Sequence, residues 1–424
     1  MTKWTMVPLA EAAEIRGGAT PLRGNAEYWN GDIPWLTPTD LPPVGAGITN
    51  VQETADSITQ EGLGSCSASL LPRGAVLFSS RASIGKVGIA DVPLATNQGF
   101  ANFIPRDGVG SRYLAWCLSH HARQITRLAG STTFKEVTKR SLRRFLIPMP
   151  PPPEQRRIVE ILDQVDRLRQ LRTEADEKAE RVLPVLLTRI LGRPETWLGD
   201  AGCEPLGSLA SFISGATPSK SVQGFWQGDV PWVSPKDMKV DFLSDSQDHV
   251  SDAAVKETNL RLIERGNTLV VVRGMILART IPLAINLNPV TINQDMKALL
   301  PSREPITGTY LWAALTVARQ RLRGLVRTAA HGTRKLDTPD LMQFRIPLPT
   351  PDQIQQVSSA VETHRHLVES RQKGALLTDR LFRLLVSKAF SGSLTSVWRQ
   401  NQAAEVLEES SRGHSCSGHM EGVA

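Results

Sequence analysis

Residues 147–155 read Ile-Pro-Met-Pro-Pro-Pro-Pro-Glu-Gln, and residues 346–353 read Ile-Pro-Leu-Pro-Thr-Pro-Asp-Gln. Proline is tolerated in the first turn of a helix but not in its interior, so each stretch is an extended lead-in to a helix. The first helix is expected to begin at Pro153–Glu154, where the carboxylate favours the positive end of the helix dipole. Beyond it, apolar residues recur in steps of three and four at Ile158, Ile161, Val165, Leu168, Ala175, Ala179, Val182 and Leu186, interrupted by Arg172. This is a narrow seam of the coiled-coil kind. Some 38 residues at about 1.5 Å each predict a rod of roughly 57 Å, kinked near Pro184. In the second helix Ile354, Val357, Val361, Val368, Ala375, Phe382, Leu385 and Ala389 form the seam. His364, Arg371 and Thr378 weaken it, and Gly374 costs about 1 kcal/mol in mid-helix. A narrow seam needs a partner, and the simplest partner for one helix is the other.

The repeat extends well beyond these helix starts. Gly18-Ala19-Thr20-Pro21 returns as Gly215-Ala216-Thr217-Pro218, and Trp29-Asn30-Gly31-Asp32-Ile33-Pro34-Trp35 as Trp226-Gln227-Gly228-Asp229-Val230-Pro231-Trp232, a displacement of 197 positions. Arg73-Gly74 pairs with Arg265-Gly266, Asn97-Gln98 with Asn293-Gln294, and Tyr113-Leu114 with Tyr310-Leu311, at offsets drifting between 192 and 199. Such drift marks loop insertions within one duplicated unit, a globular part followed by a long helix. Within each globular part Ala75–Phe78 and Thr268–Val272 are apolar runs bounded by glycine and read as strands. Ser111–Leu128 and Gly308–Val326 show helical periodicity. The Gly-Asp-x-Pro-Trp segment reads as turn chemistry, with Trp35 and Trp232 as anchors. The fold class expected is therefore α/β, in two pseudo-symmetric halves with two long helices packed antiparallel.

With 424 residues, 41% hydrophobic, there is material for at least two cores, and a net charge of +7 makes an acidic partner plausible. The cysteines, Cys66, Cys117, Cys203 and Cys416, have neither metal nor disulfide-framework spacing. No charged-then-apolar leader opens the chain and no run approaches the ~20 apolar residues of a membrane span, so a cytoplasmic setting is expected. From Ser396 onward the sequence turns polar, and a mostly disordered tail with a short helix near Ala403–Leu407 is expected.

Basic residues gather late in each globular part. Arg112, Arg123, Arg127, Lys135, Lys139, Arg140, Arg143 and Arg144 are opposed within their span by Glu136 alone, and Arg319, Arg321, Arg323, Arg327, Arg334 and Lys335 by no acidic residue. The clusters run into the polar turns Gly130-Ser131-Thr132-Thr133 and Gly332-Thr333, and this mixture suits phosphate contacts. A single such cluster reads as a solvated helix face; two at equivalent places favour nucleic acid. After the strand, Arg81 and Lys86 in one copy and Arg273 in the other are candidates to reach a base edge, since arginine forks to guanine O6/N7. Gly85-Lys86 is not a P-loop, because the upstream Gly and the following Ser/Thr are missing. Asn97-Gln98 and Asn293-Gln294 have the groups to pair with adenine, but amides beside a strand more often satisfy backbone groups, and the structural reading is favoured. Catalytic constellations are not visible: Asn288-Pro289-Val290 lacks the second proline and aromatic of an amino-methyltransferase motif, and no metal-spaced His/Cys cluster or nuclease carboxylate–lysine pair is found.

Taken together, the duplicated Gly-Ala-Thr-Pro and Gly-Asp-x-Pro-Trp blocks, the two proline-led helix starts and the run Lys388-Ala389-Phe390-Ser391-Gly392-Ser393-Leu394 resemble the specificity subunit of type I restriction–modification systems. The resemblance covers nearly all of residues 1–395; the first copy departs from it at Arg189-Ile190-Leu191-Gly192-Arg193. It implies a first target recognition domain over 1–147, a central helix over 148–200, a second recognition domain over 201–346, a distal helix over 347–395 and a tail over 396–424. It also implies a chain without chemistry of its own that reads a split DNA target. Two methyltransferase and two restriction subunits would dock on it, with S-adenosylmethionine, ATP and Mg on those partners and no cofactor on this chain. The rivals from the residues alone are a pseudosymmetric scaffold without a DNA role, which predicts apolar patches in place of paired basic clusters, and a self-contained nuclease or methyltransferase.

Overall fold

Val76-Leu77-Phe78-Ser79 is buried along its whole length and occupies the centre of a five-stranded sheet. Successive side chains of a strand face opposite ways. Val76 and Phe78 accordingly join one core and Leu77 another. The sheet order is Ala13–Gly17, Phe100–Pro105, Val76–Ser79, Val87–Ala90, Thr49–Val51, antiparallel except for its last pair. Helix Ser111–Thr126 covers one face with Tyr113, Leu114, Trp116, Leu118 and Ile125. A three-stranded sheet places Trp29–Leu36 between Asp56–Ile58 and Ala95–Thr96. The Gly-Asp-x-Pro-Trp segment therefore lies in a strand instead of a turn. The turn chemistry survives as a register shift between Trp29 and Ile33, with Asn30 at φ 61°.

The second copy repeats this order strand for strand: Ala210–Ser214, Met296–Pro301, Thr268–Val271, Leu283–Asn286, Phe242–Leu243, and Val230–Val233 between Asp248–Val250 and Thr291–Ile292. The helical run read over Gly308–Val326 is two helices, Gly308–Val317 and Arg319–Gly324, joined at Ala318.

The structure, a computed structural model, describes residues 4–129, 135–198, 202–329 and 332–402. The turn Gly130–Thr133 and the anticipated tail helix at Ala403–Leu407 lie outside the described residues. The chain divides into two units, residues 1–172 with 375–424, and residues 173–374.

The first long helix runs Pro152–Glu180 and resumes as Val182–Leu191. Pro184 has no N–H for the Glu180 carbonyl four residues back, which accounts for a break there. The second long helix, Pro351–Phe390, is unbroken over 40 residues. Gly192 and Gly392 follow these helices at φ 81° and 78°, positive values that glycine adopts without steric cost. In the first unit Phe382, Val386, Ala389 and Phe390 share a core with Ile158 and Leu162, while Arg169 Nε donates to Asp379 at 3.1 Å. In the second, Val357 and Val361 share a core with Leu183, Leu187 and Leu191; Arg371 bonds Asp176, and Gln353 donates to the Ile190 carbonyl. In each unit one helix segment ascends as the other descends, so the pairing is antiparallel.

The seam itself needs correcting. Ile158, Val357, Val361 and Phe382 are buried and Ile161, Val165 and Val368 half-buried, but Leu168 and Val182 are 61% and 59% exposed. Their places are taken by Leu162, Asp166, Leu183 and Leu187. The reason is that the helix also faces its globular part. Arg112 Nε reaches Asp163 at 2.7 Å, and Gly47 lies hard against the Asp166 carboxylate. Those contacts turn the buried arc by about one position in the first unit, and in the second Leu183 and Leu187 likewise join the globular core. No helix among the described residues is long and apolar enough to cross a membrane.

Candidate nucleic-acid interface

At the end of the central strand both units build the same assembly. In the second unit, the amides of Val272 and Arg273 donate to the Asp295 carbonyl at 2.8 and 3.2 Å, in the Asn293-Gln294-Asp295 turn. On the other side Leu336 N donates to the Val272 carbonyl at 2.8 Å and Gly274 N to that of Arg334 at 3.0 Å. A short hairpin, Arg327–Thr328 with Arg334–Lys335, carries these last contacts. In the first unit Ser80 N donates to the Gly99 carbonyl at 2.8 Å, Val137 N to that of Ser80 at 2.9 Å, and Ala82 N to that of Lys135 at 3.3 Å. Arg81 and Arg273 are thus equivalent, each held between an Asn-Gln turn and a basic segment. Residue 82 must turn left-handed (φ 59°), where the second copy has Gly274 at φ 139°.

The turns are fixed from within. Asn97 Oδ1 accepts from Gly99 N at 2.9 Å and Asn293 Oδ1 from Asp295 N at 3.0 Å, the structural use read for these amides. Trp35 and Trp232 are buried, and their indole N–H groups donate to the Ala19 and Ala216 carbonyls at 3.1 and 2.9 Å.

The structure separates the candidate cations into two sets. Arg123 and Arg127 near the end of helix Ser111–Thr126, Lys135, and Lys139 and Arg140 at the start of helix Lys139–Arg144 are exposed. Lys139 lies across Gly17, beside the Gly-Ala-Thr-Pro loop. Arg81 is half-exposed with Glu136 3.9 Å away, and Arg273 is exposed. Lys86, by contrast, is a structural cation: its ammonium donates to the Pro38 and Leu41 carbonyls at 2.6 and 2.9 Å. Arg321 is likewise turned inward, bonding the Pro194 carbonyl and lying 5.0 Å over the Phe344 ring. Arg319 faces Asp241; burial pushes the Asp241 carboxyl up and the Arg319 guanidinium down, and each charge partly offsets the other. Arg323 donates to the Ala278 carbonyl from an exposed position, Arg327 pairs with Asp340 at 2.9 Å, Lys335 with Asp337 at 2.5 Å, and Arg334 bonds Thr328. The cluster with no acid inside its own span is partly neutralised by Asp337 and Asp340, which follow it directly in sequence, and by Asp241 from a distant loop.

Two lysines escaped the sequence reading. Lys220 and Lys236 line a 650 Å³ cleft with Trp226, Trp232 and Asn293. In the first unit Arg23, the counterpart of Lys220, instead lies 4.3 Å over Trp29 and 5.0 Å over Trp35. For Lys220 and Arg23 the position just after the duplicated Thr-Pro was the available signal. Among the described residues no group of three or more His, Cys, Asp or Glu is placed to hold a metal ion.

A family model described as the type I restriction modification DNA specificity domain matches residues 1–181 and 204–361. This chain belongs to that family. Similar proteins include the MjaIX type I restriction enzyme specificity subunit of Methanocaldococcus jannaschii, 30% identical over 61% of this chain and 63% of that protein. The EcoR124I/EcoR124II specificity subunit of Escherichia coli is 28% identical over 56% of this chain and 59% of the relative. The chain thus spans about three fifths of the length of these curated relatives. Among solved structures, a chain from a type I restriction–modification assembly superposes with a TM-score of 0.63 at 18% identity, over 93% of this chain and 99% of that one. The type I S subunit of M. genitalium gives 0.54 at 14% identity, over 91% and 96%. These likenesses show the fold: two repeated α/β halves and long helices.

Proposed function

We propose that this chain is the DNA-reading specificity subunit of a type I restriction–modification complex, each unit reading one half of a bipartite target. The observation that carries the reading is the duplicated strand-end assembly, in which an arginine stands between an Asn-Gln turn and a basic segment in both copies. Cations and backbone amides around it supply phosphate contacts, while Arg81 and Arg273 are placed to read base edges. The chain carries no chemistry itself. S-adenosylmethionine, ATP and Mg belong to methyltransferase and restriction subunits.

The methyltransferase subunits have a place to dock. In the first unit Leu168, Leu171, Leu376, Leu377, Leu381 and Leu384 are exposed on the long helices. In the second, Val182, Leu186 and Leu367 line a groove of about 850 Å³, with exposed Val185 nearby in sequence. Apolar faces of this size on paired helices suit further helices laid against them.

A chimera tests the reading. With residues 201–346 taken from a relative and the methyltransferase subunits present, the methylated target mapped by sequencing keeps one half-site, changes the other and preserves the gap. A change in both half-sites at once would sink the two-reader model.

A further inference from the structure

One exposed pair of side chains is identical in the two units, and it departs from the structural role read for the Asn-Gln amides: the asparagines bond backbone amides, the glutamines do not. Thr20 Oγ1 donates to Gln98 Oε1, and Thr217 Oγ1 donates to Gln294 Oε1. Both glutamines are exposed, at the tip of the Asn-Gln turn that adjoins Arg81 or Arg273.

The loops that present the threonines are pinned in the same way. Ala19 N donates to the Thr96 carbonyl at 2.9 Å and Ala216 N to that of Ile292 at 3.0 Å, and the buried tryptophans hold the same two alanines from behind. A Cβ at Gly18 would lie 2.1 Å from the Asn97 carbonyl oxygen, and one at Gly215 1.9 Å from that of Asn293. No side chain fits either place, so the loop is held against the turn at a fixed distance. Common ancestry accounts for the buried part of this device. It does not require an exposed glutamine at the tip of both turns.

With its oxygen engaged by threonine, each amide presents its two N–H donors outward. A donor beside an arginine and a basic segment suits phosphate or sugar oxygen. Two readers of different half-sites can share a residue only for something both half-sites have, and the backbone is what every duplex has. We propose that Gln98 and Gln294, each oriented by its threonine, form a sequence-independent contact to the DNA sugar–phosphate backbone, common to both readers. This rests on the DNA-reading function proposed above. The threonines are positioning residues.

The test uses the full chain and random-sequence duplex DNA, read by fluorescence anisotropy over a salt series. Each Gln→Ala change should weaken binding about threefold to tenfold, with little change in salt slope because the amide is neutral. Gln98→Lys and Gln294→Lys should each strengthen binding and steepen the slope by roughly 0.9. Gln164→Lys, on the exposed side of the first long helix, should do neither; a gain of binding cannot come from misfolding. Thr20→Val and Thr217→Val should have smaller effects than the glutamine changes. If the wild-type chain binds with strong salt dependence but none of these changes alters it, the backbone contact is refuted and DNA reading stands. If Gln→Ala changes preference at one base pair, the glutamines are base readers and the shared contact is refuted. If the wild-type chain does not bind DNA, the proposed function fails and this contact falls with it.

Discussion

The two units share a topology strand for strand and treat their charges in opposite ways. In the first, Arg123, Arg127, Lys135, Lys139 and Arg140 stand exposed around the strand end. In the second, Arg319, Arg327 and Lys335 face Asp241, Asp340 and Asp337, and Arg321 is turned onto Pro194 and Phe344. The helix starts are reversed in the same spirit. Glu154 is 2% exposed, accepts from Trp4 Nε1 at 3.0 Å and from Thr395, and forms an ion pair with Arg399 at 2.9 Å; its counterpart Asp352 is exposed. The same scaffold tolerates either arrangement because only the buried apolar pattern and the strand-end hydrogen bonds are needed to form it. Charge is left free to be buried as a fastening in one place and offered to a polyanion in another.

The largest effect expected from this contrast lies at the helix starts. Glu154→Ala leaves Arg399 half-buried without its carboxylate and strands two further donors, at a cost of about 3–5 kcal/mol. Asp352→Ala should stay within about 0.5 kcal/mol. Hydrogen exchange resolved by peptide would show faster opening confined to residues 4–172 and 375–402 for the first variant. Equal loss of protection in both units would erase the contrast.

Acid should act on the same unit. Burial, reinforced by His121 beside it, pushes His120 down to about 4, and its ring stacks on Phe390 with centroids 4.9 Å apart. An unfolded histidine titrates near 6.5. The folded value is the lower one, so this contribution is complete above about pH 6.5 and is lost as pH falls toward 4. After allowance for solvent screening, about 1–2 kcal/mol should disappear across that window. The second copy has Val317 at this position. Melting curves of wild type and His120→Asn at pH 7 and 5 decide it; an undiminished pH response in the variant would assign the effect elsewhere.

The smallest effect concerns salt. Lys139→Ala and Arg140→Ala should each reduce the slope of log affinity against log salt by roughly 0.9 if each meets a phosphate. Arg319→Ala and Arg321→Ala should leave that slope alone. Reversed results would mean that the neutralised cluster is the one facing DNA.

How far the sequence could be read follows from the range of the interactions involved. The duplication, the proline-led helix starts and the glycine-bounded strands are local or repeated signals, and the structure has them close to where they were expected. Asn97 and Asn293 satisfy neighbouring amides two residues away, a use that residue type and spacing suggest. Leu168 and Val182 could not be placed, because periodicity says that a helix has an apolar stripe but not which of two neighbours claims it. Lys86 meets carbonyls 45 and 48 residues upstream, and Arg319 faces a carboxylate in another strand's loop. No linear window contains such partners. Glu154 shows the same limit: its place in the first turn suggested a dipole contact, whereas its two donors and its ion-pair partner arrive from the two ends of the described chain.

The core of the first unit draws on Phe382, Val386, Ala389 and Phe390, whereas residues 173–374 make a continuous unit. During synthesis the half made first is therefore the last to be finished. Between residue 172 and residue 390 a ribosome working at about 5–20 residues per second needs roughly 10–45 s. Over that interval the surface that Phe382 and Phe390 will cover, including Trp116 and Tyr113, has no native cover. The later half can complete itself while the earlier one waits. A premature stop between residues 375 and 390 of the second long helix would thus damage the beginning of the protein more than its middle.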